Sequence, residues 1–335
     1  MKKSLFVLVL VAAASAFAAA PTYKVLSKIK VGGGARWDYS YLDTASHRLY
    51  VSHGTQTEVI DTTTDKLIGT IPGTTGVHGI AIAADFGKGF TSDGGDNDVT
   101  VFDLKTLKVL SKVKTGQNPD AIIYEPVSKR VFTFNGRSSD STAIDAKTGD
   151  VITASIPVGG KPEFAQVDGK GHIYVNIEDK NEIIEVDAKN ALVTKRYSIA
   201  PCDSPSGLAL DPKGRLYSVC ENKLMIVSDP ASGKVLANVP TGPGTDGVAF
   251  DDGYAFSANG GDGTITMVGE TSPGKFEAVA TIQSQRGART IAADQKGHKL
   301  YLPTADFGPP APGKDGKKGR PQALPDTFTI LVVGR

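Results

Sequence analysis

The side chains that could do chemistry in this 335-residue chain are scattered singly, and the usual catalytic spacings are missing. Its five histidines form no HExxH pair. Neither cysteine sits in a CxxCH haem-attachment run, no GxSxG elbow presents a serine, and no glycine-rich loop follows a strand to cradle phosphate. A set of polar residues does recur, each opening a short apolar run: Asp38, His78, Asp120, Glu163, Ser206, Asp246 and Arg289. Four of the seven are acidic. Gathered in one place, their oxygens suit Ca²⁺, and with a histidine they suit a transition metal. The same residues equally describe a polar, water-filled opening. Because each run contributes one residue, no ligand spacing identifies a metal. No cofactor is predicted, and a divalent cation is the one candidate.

The elements that must position these residues follow from a repeat. Asp61, Asp103, Asp145, Asp187 and Asp229 are spaced by 42 residues each, every one preceded by apolar residues. A constant period of that size, with several short strands inside it, marks propeller blades. The second unit shows four strands, a to d from the inside outwards: GIAIA (79–83), KGFTSDG (88–94), DVTVFD (98–103) and LKVLSKVKTG (107–116). The a strands are small and apolar, as at GLALD (207–211) and GVAFD (247–251), which suits burial on both faces near a crowded axis. The c-to-d turns carry Asp, Thr and Gly (DTTTDK, DAKTGD), so the repeated aspartate is expected to bond its own turn. GGDND (94–98) and GGDG (260–263) are read as hairpin turns between b and c strands.

Seven a strands can be counted, so the fold class is all-β: a seven-bladed β-propeller of four-stranded antiparallel blades. The last unit ends at FTILVV (328–333) without a fourth strand. That strand is found at the other end, where KVLSKIKVG (24–32) nearly repeats KVLSKVKTG (108–116). Residues 23–31 should pair antiparallel with 327–333 and close the ring. The a–b and c–d turns then share one face, the bottom, and the b–c and d–a loops share the top. His47, His172 and His298 fall in bottom turns. The top collects the seven-residue ring, Arg36 and Trp37, and b–c loop residues: His53, Asp93, Asp96, Asn135, Arg137, Glu178, Asp179, Glu221, Asn222, Asn259, Asp262 and Asp306. His53 and His78 are the candidate ligands or general bases, and the equal alternative for each is a hydrogen bond to a neighbouring loop. The expected ligand-binding set is Arg36, Trp37, Asp38, His53, His78, Asp120, Arg137, Glu163, Asp246, Asn259 and Arg289. Residues 306–326 replace the short b–c loop of the last blade. They are rich in Pro and Gly, contain Lys314, Lys317, Lys318 and Arg320, and are expected to be an irregular segment, either a lid or partner arm or, as favoured here, a solvated surface insertion.

The N-terminus reads as an export signal. Lys2 and Lys3 precede the apolar run 5–14, and Ala16-Phe17-Ala18 and Ala18-Ala19-Ala20 are candidate cleavage sites, so residues 1–20 are assigned to a signal peptide and 21–335 to the propeller. No transmembrane anchor is expected after cleavage, and the location is periplasmic or secreted. Cleavage leaves 35 basic against 36 acidic residues, a net charge of −1. Such a balance exerts no bulk pull on nucleic acid or anionic lipid, which disfavours a nucleic-acid partner. Cys202 lies in the loop entering strand a of the fifth unit, and Cys220 ends its strand b. Strand a descends from the top and strand b returns, so both sulfurs arrive at the top, and an oxidising compartment permits a disulfide.

With these segments in place, the repeat resembles the YVTN-repeat, or YncE-like, propellers, on KVLSKVKTGQNPDAIIYEP (108–126) and RLYVSHG (48–54). The likeness runs over essentially the whole mature chain. It implies a seven-bladed propeller exported from a bacterial cell and implies little chemistry. The expected function is a non-catalytic binding or scaffolding propeller of the envelope, holding a small molecule or an envelope protein on its top face. The alternative is a metal-assisted lyase or lactonase at the channel mouth.

Overall fold

The computed structural model describes residues 20–34, 36–312 and 318–335; the expected signal peptide lies outside them, save for residue 20. Seven four-stranded antiparallel sheets form a ring around a central channel. Blades 1 to 6 each run a-b-c-d in chain order. Blade 2, for example, is Val77–Ala83, Lys88–Asp93, Asp98–Asp103 and Val109–Lys114. Blade 7 takes its first three strands from the C-terminus (Ala292–Asp294, Lys299–Thr304, Thr329–Gly334) and its outer strand, Lys24–Lys30, from the N-terminus. The pairing runs antiparallel from Lys24↔Gly334 to Lys30↔Thr329, as the repeat predicts.

Burial sets the composition of the strands. The b strand of blade 2 is almost wholly buried, whereas its d strand is mostly exposed. Each hydrophobic cluster lies between two neighbouring blades. Ala81, Phe90 and Val101 of blade 2 meet Ile122, Val131 and Ile144 of blade 3. Across the closure, Leu49, Val51 and Ile60 of blade 1 meet Ile29, Tyr301 and Ile330 of blade 7. Near the axis the a strands converge so closely that side chains are excluded. A Cβ on Gly207 would lie 2.7 Å from the Asp246 carbonyl oxygen, and one on Gly247 would lie 2.9 Å from Thr290 Cα.

The repeated aspartates are turn builders. Asp103 Oδ1 accepts from the amides of Lys105 and Thr106, and Asp145 Oδ1 from those of Lys147 and Thr148, with the same arrangement at Asp61 and Asp187; Asp229 accepts from the Ala231 amide and the Ser232 hydroxyl. Cys202 and Cys220 are disulfide-bonded, with Cα atoms 5.5 Å apart. Among the described residues, no helix is long and apolar enough to cross a membrane.

The insertion in blade 7 differs from expectation. It is a two-stranded hairpin, Phe307–Pro312 against Lys318–Ala323, with Pro310 opposite Pro321. A lone hairpin consists of two edge strands, so a proline can sit where its missing N–H would face outwards. Proline therefore does not forbid strands here, as it would within a sheet. Residues 313–317, with Lys314 and Lys317, lie outside the described residues.

Candidate functional site

The ring residues are aimed by a repeated local device. His78, Asp120, Glu163, Ser206 and Asp246 are each the second residue of their a strand, and three of them follow a proline that opens it (Pro119, Pro162, Pro205). In all five blades the a–b register shifts just after this residue. A bulge at the top of the strand turns the side chain out of the pleat and towards the channel.

Five of the seven join in a belt of alternating charge. Asp246 Oδ2 accepts from Arg289 Nε at 2.9 Å, and Arg289 Nη2 lies 3.8 Å from Asp38 Oδ1. Asp38 Oδ2 is 2.6 Å from His78 Nδ1, which is 3.6 Å from Asp120 Oδ1. The chain of contacts thus passes through blades 6, 7, 1, 2 and 3. In blade 4, Lys161 Nζ is 2.7 Å from Glu163 Oε1 and also pairs with Glu178. Tyr39 of blade 1 donates to Glu163 Oε2 at 3.2 Å, and its ring meets Phe164 at 4.9 Å between centroids. The tyrosine therefore crosses the channel. The meeting of Tyr39 with Glu163 and Phe164 has no local signal in the sequence, because only the closed ring brings blades 1 and 4 face to face; Lys161, two residues before Glu163, pairs within its own blade.

Burial tunes these groups. It opposes the charge on His78, yet the hydrogen bond to Asp38 and the charges of Asp120 and Asp38 push its pKa up to about 9. Burial also raises Asp120, with Asp38 and Asp246 adding to it and His78 opposing. Glu163 is raised by burial and by Asp120, against the pull of Lys161. Burial is the main cause of the rise at Asp246 as well, with Arg289 opposing it.

Above the belt is a cavity of about 760 Å³, walled by d–a and b–c loops and by Phe307, Pro321 and Ala323 of the blade 7 hairpin. Arg36, Trp37, Asp38, His78, Arg137 and Arg289 line it. Asp120, Glu163 and Asp246 do not; they belong to the belt beneath. A second cavity of about 380 Å³ occupies the lower channel, with Tyr39 and Phe164 at its upper end and apolar residues such as Ile80, Ile122 and Val167 around it.

The structure places His53 and Asn259 away from the cavity wall. His53 is buried, with Nδ1 2.8 Å from Glu58 Oε1, Nε2 on the Gly34 carbonyl, and its ring stacked on Phe328. Asn259 donates to Thr264 and Thr266 and accepts from Ser257. Asp93 and Asn135 fill the same buried position in blades 2 and 3, each held by threonines on the b and c strands. These end-of-strand polar residues bind their own blades, which the sequence could not distinguish from facing outwards. The glycine after them has a clear purpose: a Cβ on Gly94 would lie 2.7 Å from His78 Nε2.

No protein-family model matches the chain, and no curated protein matches it. Several solved structures are similar to it. U3-55K aligns with a TM-score of 0.74 at 8% identity, over 92% of this chain and 98% of that one. The RRP9 WD40 repeats align with a TM-score of 0.75 at 8% identity, over 94% and 98%. Kuenenia stuttgartiensis hydrazine synthase aligns with a TM-score of 0.69 at 16% identity, over 82% and 94%. At such identities the likeness establishes fold alone. The chain is a seven-bladed β-propeller with a belt of paired charges beneath a top-face cavity.

Proposed function

We propose that this propeller is exported to the bacterial envelope, belongs with the YVTN-repeat, YncE-like propellers, and acts there as a non-catalytic binding or scaffolding module. A small molecule or an envelope protein is held over the channel mouth. The observation that carries this reading is the cavity of about 760 Å³ set on a rigid, internally paired belt. A concave site of this size with a few convergent polar groups is built to hold a ligand. His78 keeps its proton at neutral pH between two carboxylates, which favours binding over general-base chemistry. The disulfide suits an oxidising compartment. Thr75 is exposed on the cavity wall, so Thr75→Trp fills the space without entering the core. Compounds that raise the melting temperature of the wild-type protein should lose their effect on this variant; an undiminished effect would place the site elsewhere. Expression of the full chain in a bacterial host, followed by fractionation, tests export. Retention in the cytoplasm with the leader intact would overturn it.

One observation favours the alternative, a metal-assisted lyase or lactonase. Asp38, His78 and Asp120 can each offer a ligand atom within 4.8 Å of the others, and Asp120 Oδ1 is buried without a hydrogen-bond partner among the described residues. Two carboxylates and an imidazole suit a divalent transition metal. Elemental analysis distinguishes the two readings. One equivalent of metal that is lost in Asp120→Asn supports the alternative, and a metal-free protein with intact ligand binding supports the binding module.

A further inference from the structure

We infer that the ligand of the upper cavity is a small anion bearing carboxylate or phosphate groups. This rests on the cavity being the binding site and specifies what enters it. The sequence alone points the other way, since four of the seven ring residues are acidic. The fold reverses the sign seen by a ligand. Asp120, Glu163 and Asp246 lie in the belt and do not line the cavity, and each has a cation beside it: His78 at 3.6 Å, Lys161 at 2.7 Å and Arg289 at 2.9 Å. Asp38 is the one carboxylate on the wall, and His78 and Arg289 already engage it.

Three arginines face the same space. Arg289 is fixed, with Nη2 donating to the Trp37 carbonyl at 2.7 Å and its guanidinium 5.6 Å from the Trp37 ring centre. Arg36 and Arg137 are exposed, and neither has a side-chain hydrogen bond or ion pair among the described residues. Two unpaired guanidinium forks are unmatched donors, shaped for the paired oxygens of a carboxylate or phosphate. Asn97 adds a further donor. Its Oδ1 accepts from the Asn118 backbone N–H at 2.7 Å, and its Nδ2 has no partner among the described residues, on a residue that lines the cavity. With a net charge near zero over the whole chain, attraction of an anion is local to this mouth. A cavity of this volume fits a molecule of ordinary metabolite size.

Trp37 is the only tryptophan and lines the cavity, so its fluorescence reports on the site. The test titrates the purified protein with citrate, inorganic phosphate and pyrophosphate, and in parallel with Ca²⁺ and spermidine, reading fluorescence and heat. The expected result is saturable binding of at least one anion with Kd below about 1 mM. Binding should weaken at least about tenfold in the Arg36→Gln/Arg137→Gln double variant, with an unchanged melting temperature. Preference for citrate or for the phosphates separates a carboxylate ligand from a phosphate one. Three results would overturn the inference: no saturable anion binding, tighter binding of Ca²⁺ or spermidine than of any anion, or a double variant that binds like wild type. Thr75→Trp separates this from failure of the cavity reading. If it abolishes binding of a cation or a neutral compound, the cavity stands and the anion falls. If anion binding persists undiminished in Thr75→Trp, the cavity itself is the wrong place.

Discussion

His78 and Gly94 show how one position can depend on another a strand away. His78 reaches Asp38 and Asp120 only because residue 94 has no side chain, since a Cβ there would lie 2.7 Å from the imidazole Nε2. Gly94→Ala should therefore push the ring from its carboxylates and destabilise the fold by about 1–3 kcal/mol, measured by urea denaturation. The clamp also predicts a pH dependence. The folded-state pKa of His78 is raised to about 9 from an ordinary value near 6.5. A raised pKa means that folding favours the protonated form. Its contribution is fully present below about pH 6.5 and is lost as pH rises through about 9. It amounts to at most about 3 kcal/mol. Wild type should lose more stability than His78→Gln between pH 6.5 and 10, and parallel profiles for the two proteins would refute the clamp.

At the scale of the strand and turn, the disulfide is the strongest single constraint. Cys220 ends the b strand of blade 5, in register with Pro205 at the start of strand a, and Cys202 lies just ahead of that start. The bond thus pins a d–a loop to the top of its blade. With the cysteines 18 positions apart in sequence, the chain-entropy model gives a stabilisation of about 3 kcal/mol. The Cys202→Ala/Cys220→Ala double variant should lose about that much in denaturant titration, and thiol titration of the unreduced wild type should find none free. The turn aspartates act locally by comparison. Each serves only its own c–d corner, so their 42-residue period announces the blades without bearing on the site.

For the whole molecule, closure is the decisive event. The strand Lys24–Lys30 covers the c strand of blade 7, and Tyr23, just before it, packs on Phe256 at 4.9 Å and donates to Asp251 of blade 6 at 2.7 Å. A chain lacking residues 21–31 would leave Thr329–Gly334 as an open edge, with Leu331 and Val333 poorly covered. Open edges of this kind pair with other chains. The truncated protein should form oligomers in size-exclusion chromatography with light scattering, whereas a chain that begins at residue 21 should not. A monomeric truncated protein of wild-type stability would show that another element covers the edge.

The sequence alone determined the blade count, the strand order, the N-terminal closure and the disulfide, because each is written in local pattern. A constant period marks the blades, a near-copied strand marks the closure, and alternating strand direction brings Cys202 and Cys220 to one end. It also picked out seven polar residues at or just ahead of the a strands, five of which pair with one another in the folded ring. What it could not determine was which way each of them faces and what each one touches. His53, Asp93 and Asn259 lie at the ends of b strands, where a polar residue can turn outwards to water or inwards to buried partners (Glu58 for His53, Thr91 and Thr100 for Asp93, Ser257 and Thr266 for Asn259), and the local sequence is the same for both. Tyr39 and Glu163 are 124 residues apart and meet only across a closed channel. The sign of the cavity also follows from tertiary structure. Seven a strands converge on one axis, Asp120 and Asp246 find cations from neighbouring blades while Glu163 finds Lys161 in its own, and the loops above leave arginines facing the opening.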